Sequence, residues 1–281
     1  MIVDTHNHLW HVDTSDLYWL TPDLRSEGGP TIRDFLVEDL KAAFATIGVD
    51  RSVLVQAWHD ADENERWLEV AGENDVIGGV VSYINLEGTD VVGLLDRFSE
   101  CPKFRGVRAC GQDAPDDDWL LREDVRGAIR ELASRGDYSL DLLLNIPQLK
   151  DVPRVADENP DLPMVLNHLA KPQTSADGYF EPWADLMRPL AKIPNLKFKI
   201  SGMLTEAGPN PSSETLRPAV RFMIDTYGFD RLMWGSDWPV CLNAGSYKTN
   251  FEVAIGAVGD MTDSERSRFL GDNARRFYRI G

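Results

Sequence analysis

The run Ile2-Val3-Asp4-Thr5-His6-Asn7-His8-Leu9-Trp10 opens as an apolar strand and ends in two histidines. Strand side chains alternate faces, so His6 and His8 project to one side, with Cα atoms roughly 6.6 Å apart at about 3.3 Å rise per residue. Two imidazoles placed this way can converge on one ion or one polarised oxygen, while Asn7 faces away. The plainer alternative is two unrelated surface histidines at a frayed terminus. Against it, the chain has only 5 His, and three of them sit at positions 6, 8 and 11.

Outward from this stretch the pattern repeats. Short β-branched or apolar runs at residues 2–5, 52–56, 77–84, 106–109, 140–144, 164–167, 197–201 and 231–234 predict eight strands. Amphipathic stretches lie between them, and several have legible ends. Residues 35–47 stop at Gly48, 123–135 at Gly136 and 216–227 at Gly228, each glycine suited to a left-handed helix terminus. Thr262-Asp263-Ser264-Glu265 has the form of a capping box ahead of a last helix. Strands apolar on both faces and alternating with helices predict a parallel sheet covered by helices, and eight such units close naturally into a (β/α)8 TIM barrel of class α/β. An open doubly wound sheet is the competing architecture, but no Gly-x-Gly-x-x-Gly follows the first strand. No linker or low-complexity tract divides the chain, so residues 1–281 read as one domain. The irregular stretch from His11 to Pro30 reads as a loop over the barrel mouth.

Composition narrows the function classes. A formal net charge of −17, scattered along the chain, argues against nucleic acid or an anionic membrane as partner. Its 3 Cys show no metal spacing and form an odd set, which suits a reducing compartment better than a disulfide framework. With no signal-peptide pattern and no apolar run of about 20 residues, the expected location is cytoplasmic. Whether the protein forms a homo-oligomer stays open.

In a barrel of this kind chemistry gathers where strands end and βα loops begin. Those positions here are polar in every unit: His6 and His8; Gln56, followed by Trp58 and His59; Asn85; Arg105 and Arg108; Asn145; His168, followed by Lys171-Pro172; Lys199 and Ser201; and Ser236-Asp237-Trp238-Pro239. Asp237 follows an apolar strand and Gly235, which aims its carboxylate into the mouth. A carboxylate facing histidines can ligate a metal, serve as general base on water, or do both in sequence. Asp237 could instead cap a helix, and His168 could be a core histidine bonded to a carbonyl. Arg108 is either an ion-pair partner or a bidentate clamp for a carboxylate or hydroxyl-rich substrate. His11 and His59 read as solvated. Trp10, Trp58 and Trp238 either floor a sugar-like ring or belong to the core.

Taken in order, Asp4-x-His6-x-His8-x-Trp10, Gly106-Val107-Arg108, Asn167-His168-Leu169-Ala170-Lys171-Pro172, Lys199-Ile200-Ser201-Gly202, Trp234-Gly235-Ser236-Asp237-Trp238-Pro239-Val240 and the closing run from Leu270 to Tyr278 resemble the amidohydrolase superfamily, in its lactonase branch. The resemblance runs from residue 4 to 278. It implies a hydrolase that opens a small-molecule lactone, either of a sugar acid or of a carboxylated ring-cleavage acid. Asp237 would be the general base, with His6, His8 and His168 stabilising the oxyanion directly or through one divalent ion, zinc by its ligand types. The metal set would be His6, His8, His168 and Asp237, mononuclear; members of the branch also work without metal. Arg108, Gln56 and Asn85, with Trp10 and Trp238, would hold the substrate. Where two-metal relatives carry a bridging lysine or carboxylate on strand four and a histidine on strand five, this chain has Arg108 and Asn145, so a binuclear site is not expected. Asn167 stands where many relatives carry aspartate. The rival readings are a metal-dependent decarboxylase of the same superfamily and a non-catalytic barrel that binds sugar acids.

Overall fold

A computed structural model describes residues 1–13, 29–57, 60–174, 178–207 and 211–281. Most of the expected mouth loop, together with Trp58 and His59, lies outside the described residues. The strands are β1 (Val3–Asn7), β2 (Arg51–Val55), β3 (Ile77–Tyr83), β4 (Phe104–Cys110), β5 (Ser139–Leu143), β6 (Met164–Leu166), β7 (Leu196–Ile200) and β8 (Leu232–Trp234). They form one eight-stranded sheet, parallel throughout and in sequence order. Each overlaps its predicted run, with ends displaced by a few residues at most; β1 extends past Thr5, so that His6 lies within the strand. The sheet curls until its ends meet beyond β8. Asn7 bridges to Trp238, the Asp237 N–H donates to the His6 carbonyl at 2.8 Å, and the His8 N–H donates to the Trp238 carbonyl at 2.7 Å. The result is a (β/α)8 barrel.

Helix ends follow the chemistry read from the sequence. Gly48, Gly136 and Gly228 have φ of 76°, 71° and 67°, the left-handed region where a Cβ is costly. Thr262 and Glu265 form the capping box ahead of the helix Asp263–Ser267. The first helix begins at Val37 instead of Phe35, because Phe35 exchanges backbone hydrogen bonds with Trp10 and is drawn out of the helix. Among the described residues no helix is long and apolar enough to cross a membrane.

The barrel interior is layered. Val3, Val53, Val55, Val81, Val165 and Met233 pack with Ala274, Tyr278 and Ile280, which come up from the C-terminal segment to plug one end. Next comes a fully buried ion pair, Lys199 Nζ to Asp141 Oδ2 at 2.6 Å. The Tyr278 hydroxyl also donates to Asp141, 2.9 Å from Oδ2. Burial pushes the Lys199 ammonium down and the adjacent Asp141 carboxylate partly restores it. Two charges taken out of water cost several kcal/mol each, so only this close pairing makes the layer tolerable. Lys199 also reaches toward the third layer, with Nζ 3.3 Å from Nδ1 of His6.

One carboxylate secures the seam between β1 and the segment after β8. Asp4, fully buried, accepts from the His6 N–H at 3.1 Å, the Ser236 N–H at 2.9 Å, the Ser236 hydroxyl at 2.6 Å and the Tyr247 hydroxyl at 2.9 Å. Each buried donor left without an acceptor costs about 1–3 kcal/mol. Asp4→Ala is therefore expected to lower the unfolding free energy by at least about 3 kcal/mol, while Tyr247→Phe, which removes one donor, costs about 1 kcal/mol. Urea titrations of both variants check this, and equal small losses would show that Asp4 does not hold the seam.

Candidate active site

The third layer opens into a cavity of about 190 Å³ at the C-terminal ends of the strands. That is below the roughly 300 Å³ at which drug-sized pockets begin, so it suits one small ring. His8, Arg108, His168 and Asp237 line its floor, with Lys171 and Glu206 higher up.

The Asp237 carboxylate is the centre of this layer. Its backbone is left-handed, with φ of 60°, and is fixed by the bond from its own N–H to His6 and by the Cys241 N–H donating to its carbonyl at 2.9 Å. Such a conformation costs of order 1–3 kcal/mol for a residue with a Cβ and persists where the surroundings dictate it. Three imidazole Nε2 atoms point at its Oδ1: His8 at 3.2 Å, His6 at 3.7 Å and His168 at 3.9 Å. The rings crowd together, the His6 centroid lying 4.9 Å from that of His8 and 4.4 Å from that of His168.

The second nitrogen of each ring is held from behind. His8 Nδ1 lies 2.7 Å from the Val55 carbonyl, which can only accept, and its Nε2 lies 3.2 Å from the Asp237 carboxylate. His6 Nδ1 meets Lys199, and its Nε2 is buried with no hydrogen-bond partner among the described residues. His168 Nδ1 lies 2.9 Å from the Ser201 hydroxyl. Behind that ring the chain passes as Gly202, φ 64°, where an added Cβ would come within 2.6 Å of His168 Nδ1 and 3.3 Å of Asp237 Oδ2. Only glycine lets the chain after β7 approach so closely.

Burial pushes the His6 imidazole well below its ordinary value, and the charges of Lys199, His168 and His8 act in the same direction. Burial likewise takes His168 down to about 3, against an upward pull from Asp237. Both rings are neutral at pH 7. For Asp237 burial alone would raise the carboxyl, but His168, the hydrogen bond from His8 and the charge of Arg108 together hold it below the usual carboxylate range. An ionised base thus faces the neutral rings of His6 and His168 in a site shielded from water.

A metal fits this donor set. Ligand atoms of His6, His8 and Asp237 all lie within 4.8 Å of one another. An unpartnered Nε2 on His6, and an Nε2 on His8 that confronts a carboxylate oxygen, are what a cation between them would satisfy. His168, expected as a fourth ligand, stands outside that mutually close group.

The expected substrate residues fare unevenly. Arg108 lines the cavity, with Nη1 donating to the Gln56 carbonyl at 2.9 Å. Gln56 itself contributes that backbone oxygen, while its amide donates to Glu63 at 3.1 Å. Asn85 turns aside: it accepts from the Glu87 N–H at 3.1 Å and lines a neighbouring cavity. Trp10 and Trp238 are core residues, 0% and 2% exposed, both edge-on to Phe35 with centroids 5.3 and 5.2 Å from it. Their position in sequence beside the histidines places them near the mouth, but Trp10 lies past the end of β1, where its backbone bridges to Phe35 and its indole N–H donates to the Arg33 carbonyl at 3.0 Å. His11 is paired with Asp34 at 3.2 Å and stacks on Trp67. Sequence reasoning did not single out Asp141 or Glu206, and it met Asp4 and Gly202 only as members of motifs, with no role of their own. Asp4 alone left a usable trace, as a charged residue inside an otherwise apolar strand start.

The amidohydrolase family model matches residues 3–280. Among curated proteins, L-fucono-1,5-lactonase of Burkholderia ambifaria is 35% identical, over 99% of this chain and 95% of its own. L-fucono-1,5-lactonase of Burkholderia multivorans is 30% identical, over 99% and 96%. Among solved structures, an amidohydrolase from Burkholderia multivorans with bound zinc superposes with a TM-score of 0.91 at 29% identity, with 100% of both chains covered. By sequence along nearly its whole length and by the barrel just described, this chain belongs to the amidohydrolase family.

Proposed function

We propose that this protein is a lactonase, a hydrolase that opens the ring ester of a small sugar-acid lactone with Asp237 as general base. The observation that carries this reading is the convergence of His6, His8 and His168 on the Asp237 carboxylate in a cavity sized for one ring. The likeness to the two L-fucono-1,5-lactonases supports a sugar-acid lactone as substrate.

Asp237, ionised and desolvated, takes a proton from water as the water oxygen bonds to the lactone carbonyl carbon. Negative charge develops on the carbonyl oxygen, and the imidazoles gathered around Asp237, His168 on the cavity lining among them, would stabilise it. The ring C–O bond then breaks, and the proton held by Asp237 passes to the departing ring oxygen. The product is a hydroxy acid. Arg108, always charged and anchored on the Gln56 carbonyl, keeps part of its donor fork free for ring substituents. A single divalent ion, zinc by ligand preference, would be held by His6, His8 and Asp237, and would supply Lewis-acid polarisation or a more acidic bound water. In the absence of a nucleophile elbow, no covalent intermediate is required.

Asp237→Asn keeps the shape and removes the proton acceptor, so kcat on L-fucono-1,5-lactone is expected to fall at least about 10²-fold with the melting temperature little changed. Near-normal turnover would remove Asp237 from the reaction. A lactone panel read by acid release, with CO2 followed in parallel, separates lactonase from decarboxylase and from a silent binding protein.

Elemental analysis of purified protein is expected to find at most one divalent ion per chain, and less in His8→Gln. Two equivalents of zinc would mean that the donor set has been misread.

Arg108→Lys retains the charge and loses the fork. Charge-assisted hydrogen bonds are worth roughly 1.5–3 kcal/mol, so kcat/KM on a hydroxylated lactone should drop on the order of 10- to 100-fold, mainly through KM. An equal loss on an unsubstituted lactone would place Arg108 at the reacting carbonyl instead.

A further inference from the structure

Two cavity residues have no part in the reaction sequence above. Residues His168, Leu169, Ala170 and Lys171 have φ of 53°, 51°, 54° and 55°, one turn wound left-handed. Each such L-residue costs roughly 1–2 kcal/mol, and the turn is held by the Lys171 N–H donating to the His168 carbonyl at 2.8 Å and by Trp183 Nε1–H donating to the Leu169 carbonyl at 2.8 Å. The strain places His168 on the cavity floor and Lys171 on its wall, three residues later. Opposite, the short helix Met203–Glu206 starts at Gly202, behind His168, and ends by presenting Glu206 to the same cavity.

Lys171 Nζ lies 3.4 Å from Glu206 Oε1, with the two side chains 30% and 31% exposed. A direct charge-assisted hydrogen bond would be about 2.7–2.9 Å. The ion pair is therefore formed loosely, and among the described residues most of the ammonium donors and carboxylate lone pairs are unspent. A hydroxyl both donates and accepts, so two neighbouring hydroxyls can give to Glu206 and take from Lys171 while the pair stays intact. A substrate carboxylate only accepts. It would draw Lys171 away from its partner and bring like charge toward Glu206 and toward Asp113, which lines the same cavity.

Resting on the proposed lactone hydrolysis, we infer that Lys171 and Glu206 form a donor–acceptor pair that reads neighbouring hydroxyls on the ring and selects uncharged polyhydroxylated lactones over carboxylated ones. Arg108 serves from the floor; this pair serves from the wall, away from the reacting carbonyl.

The test is steady-state kinetics of the full chain, with thermal melts to verify folding, on L-fucono-1,5-lactone, unsubstituted δ-valerolactone and 2-pyrone-4,6-dicarboxylate. In Glu206→Gln and in Lys171→Met, the ratio of kcat/KM for the hydroxylated over the unsubstituted lactone is expected to fall about tenfold, carried by KM. Glu206→Gln is also expected to raise the dicarboxylate relative to the hydroxylated substrate. Lys171→Met/Glu206→Gln should lose less than the product of the single losses, because the two groups act on one pair of hydroxyls. Parallel losses on all substrates, or unaltered ratios in both single variants, overturn the assignment while leaving lactone hydrolysis standing. A wild type that opens no lactone overturns the proposed function, and this inference with it.

Discussion

Closure of the barrel depends on the Asp4 carboxylate. It ties the first strand to the segment after the last one through both Ser236 donors, and it fixes the His6 backbone in the same grip. The seam it secures also carries the candidate active site. His6 and His8 come from one side of that seam and Asp237 from the other, and the backbone bonds that join the sides run through these same residues. Geometry at the carboxylate is thus as accurate as the closure itself, with no separate loop required to bring base and imidazoles together.

Beneath the seam, the interior is built so that its polar groups are supported from below. The valine layer and the Tyr278 plug exclude water, the Lys199–Asp141 pair neutralises itself, and the ammonium extends to the rear nitrogen of His6. Exclusion of water from both sides strengthens each electrostatic contact in the site and makes an unpaired group there expensive. That cost accounts for the burial-driven depression of His6 and His168, and at Asp237 it is offset by the neighbouring His168, His8 and Arg108.

Much of this was legible in the sequence. All eight strands were, because parallel barrel strands are continuous apolar runs, and so were the glycine helix ends at 48, 136 and 228. His6, His8, His168 and Asp237 stand out because polar residues at strand ends have few structural reasons to be there. What escaped was anything decided by the direction of a side chain at long range. Trp10 and Trp238 look like mouth residues by position and are core because the chain beyond β1 and β8 turns both of them onto Phe35. Gln56 works through its carbonyl, which no residue type encodes. Glu206 meets Lys171 only because a left-handed turn and a four-residue helix happen to face each other, and neither conformation has a distinct sequence pattern apart from Gly202.

The seam also bears on how the protein comes into being. Asp4 and Ser236 are separated by 232 positions, and His8 and Asp237 by 229. Contacts that distant repay nothing until the intervening chain has been ordered, and the entropy of closing such a loop must be met first. A partly folded barrel with the seam open holds most of its helices and strands yet has no base opposite its imidazoles. For this architecture, catalytic competence and completion of the fold are one event, so regain of turnover during refolding is a direct clock for ring closure.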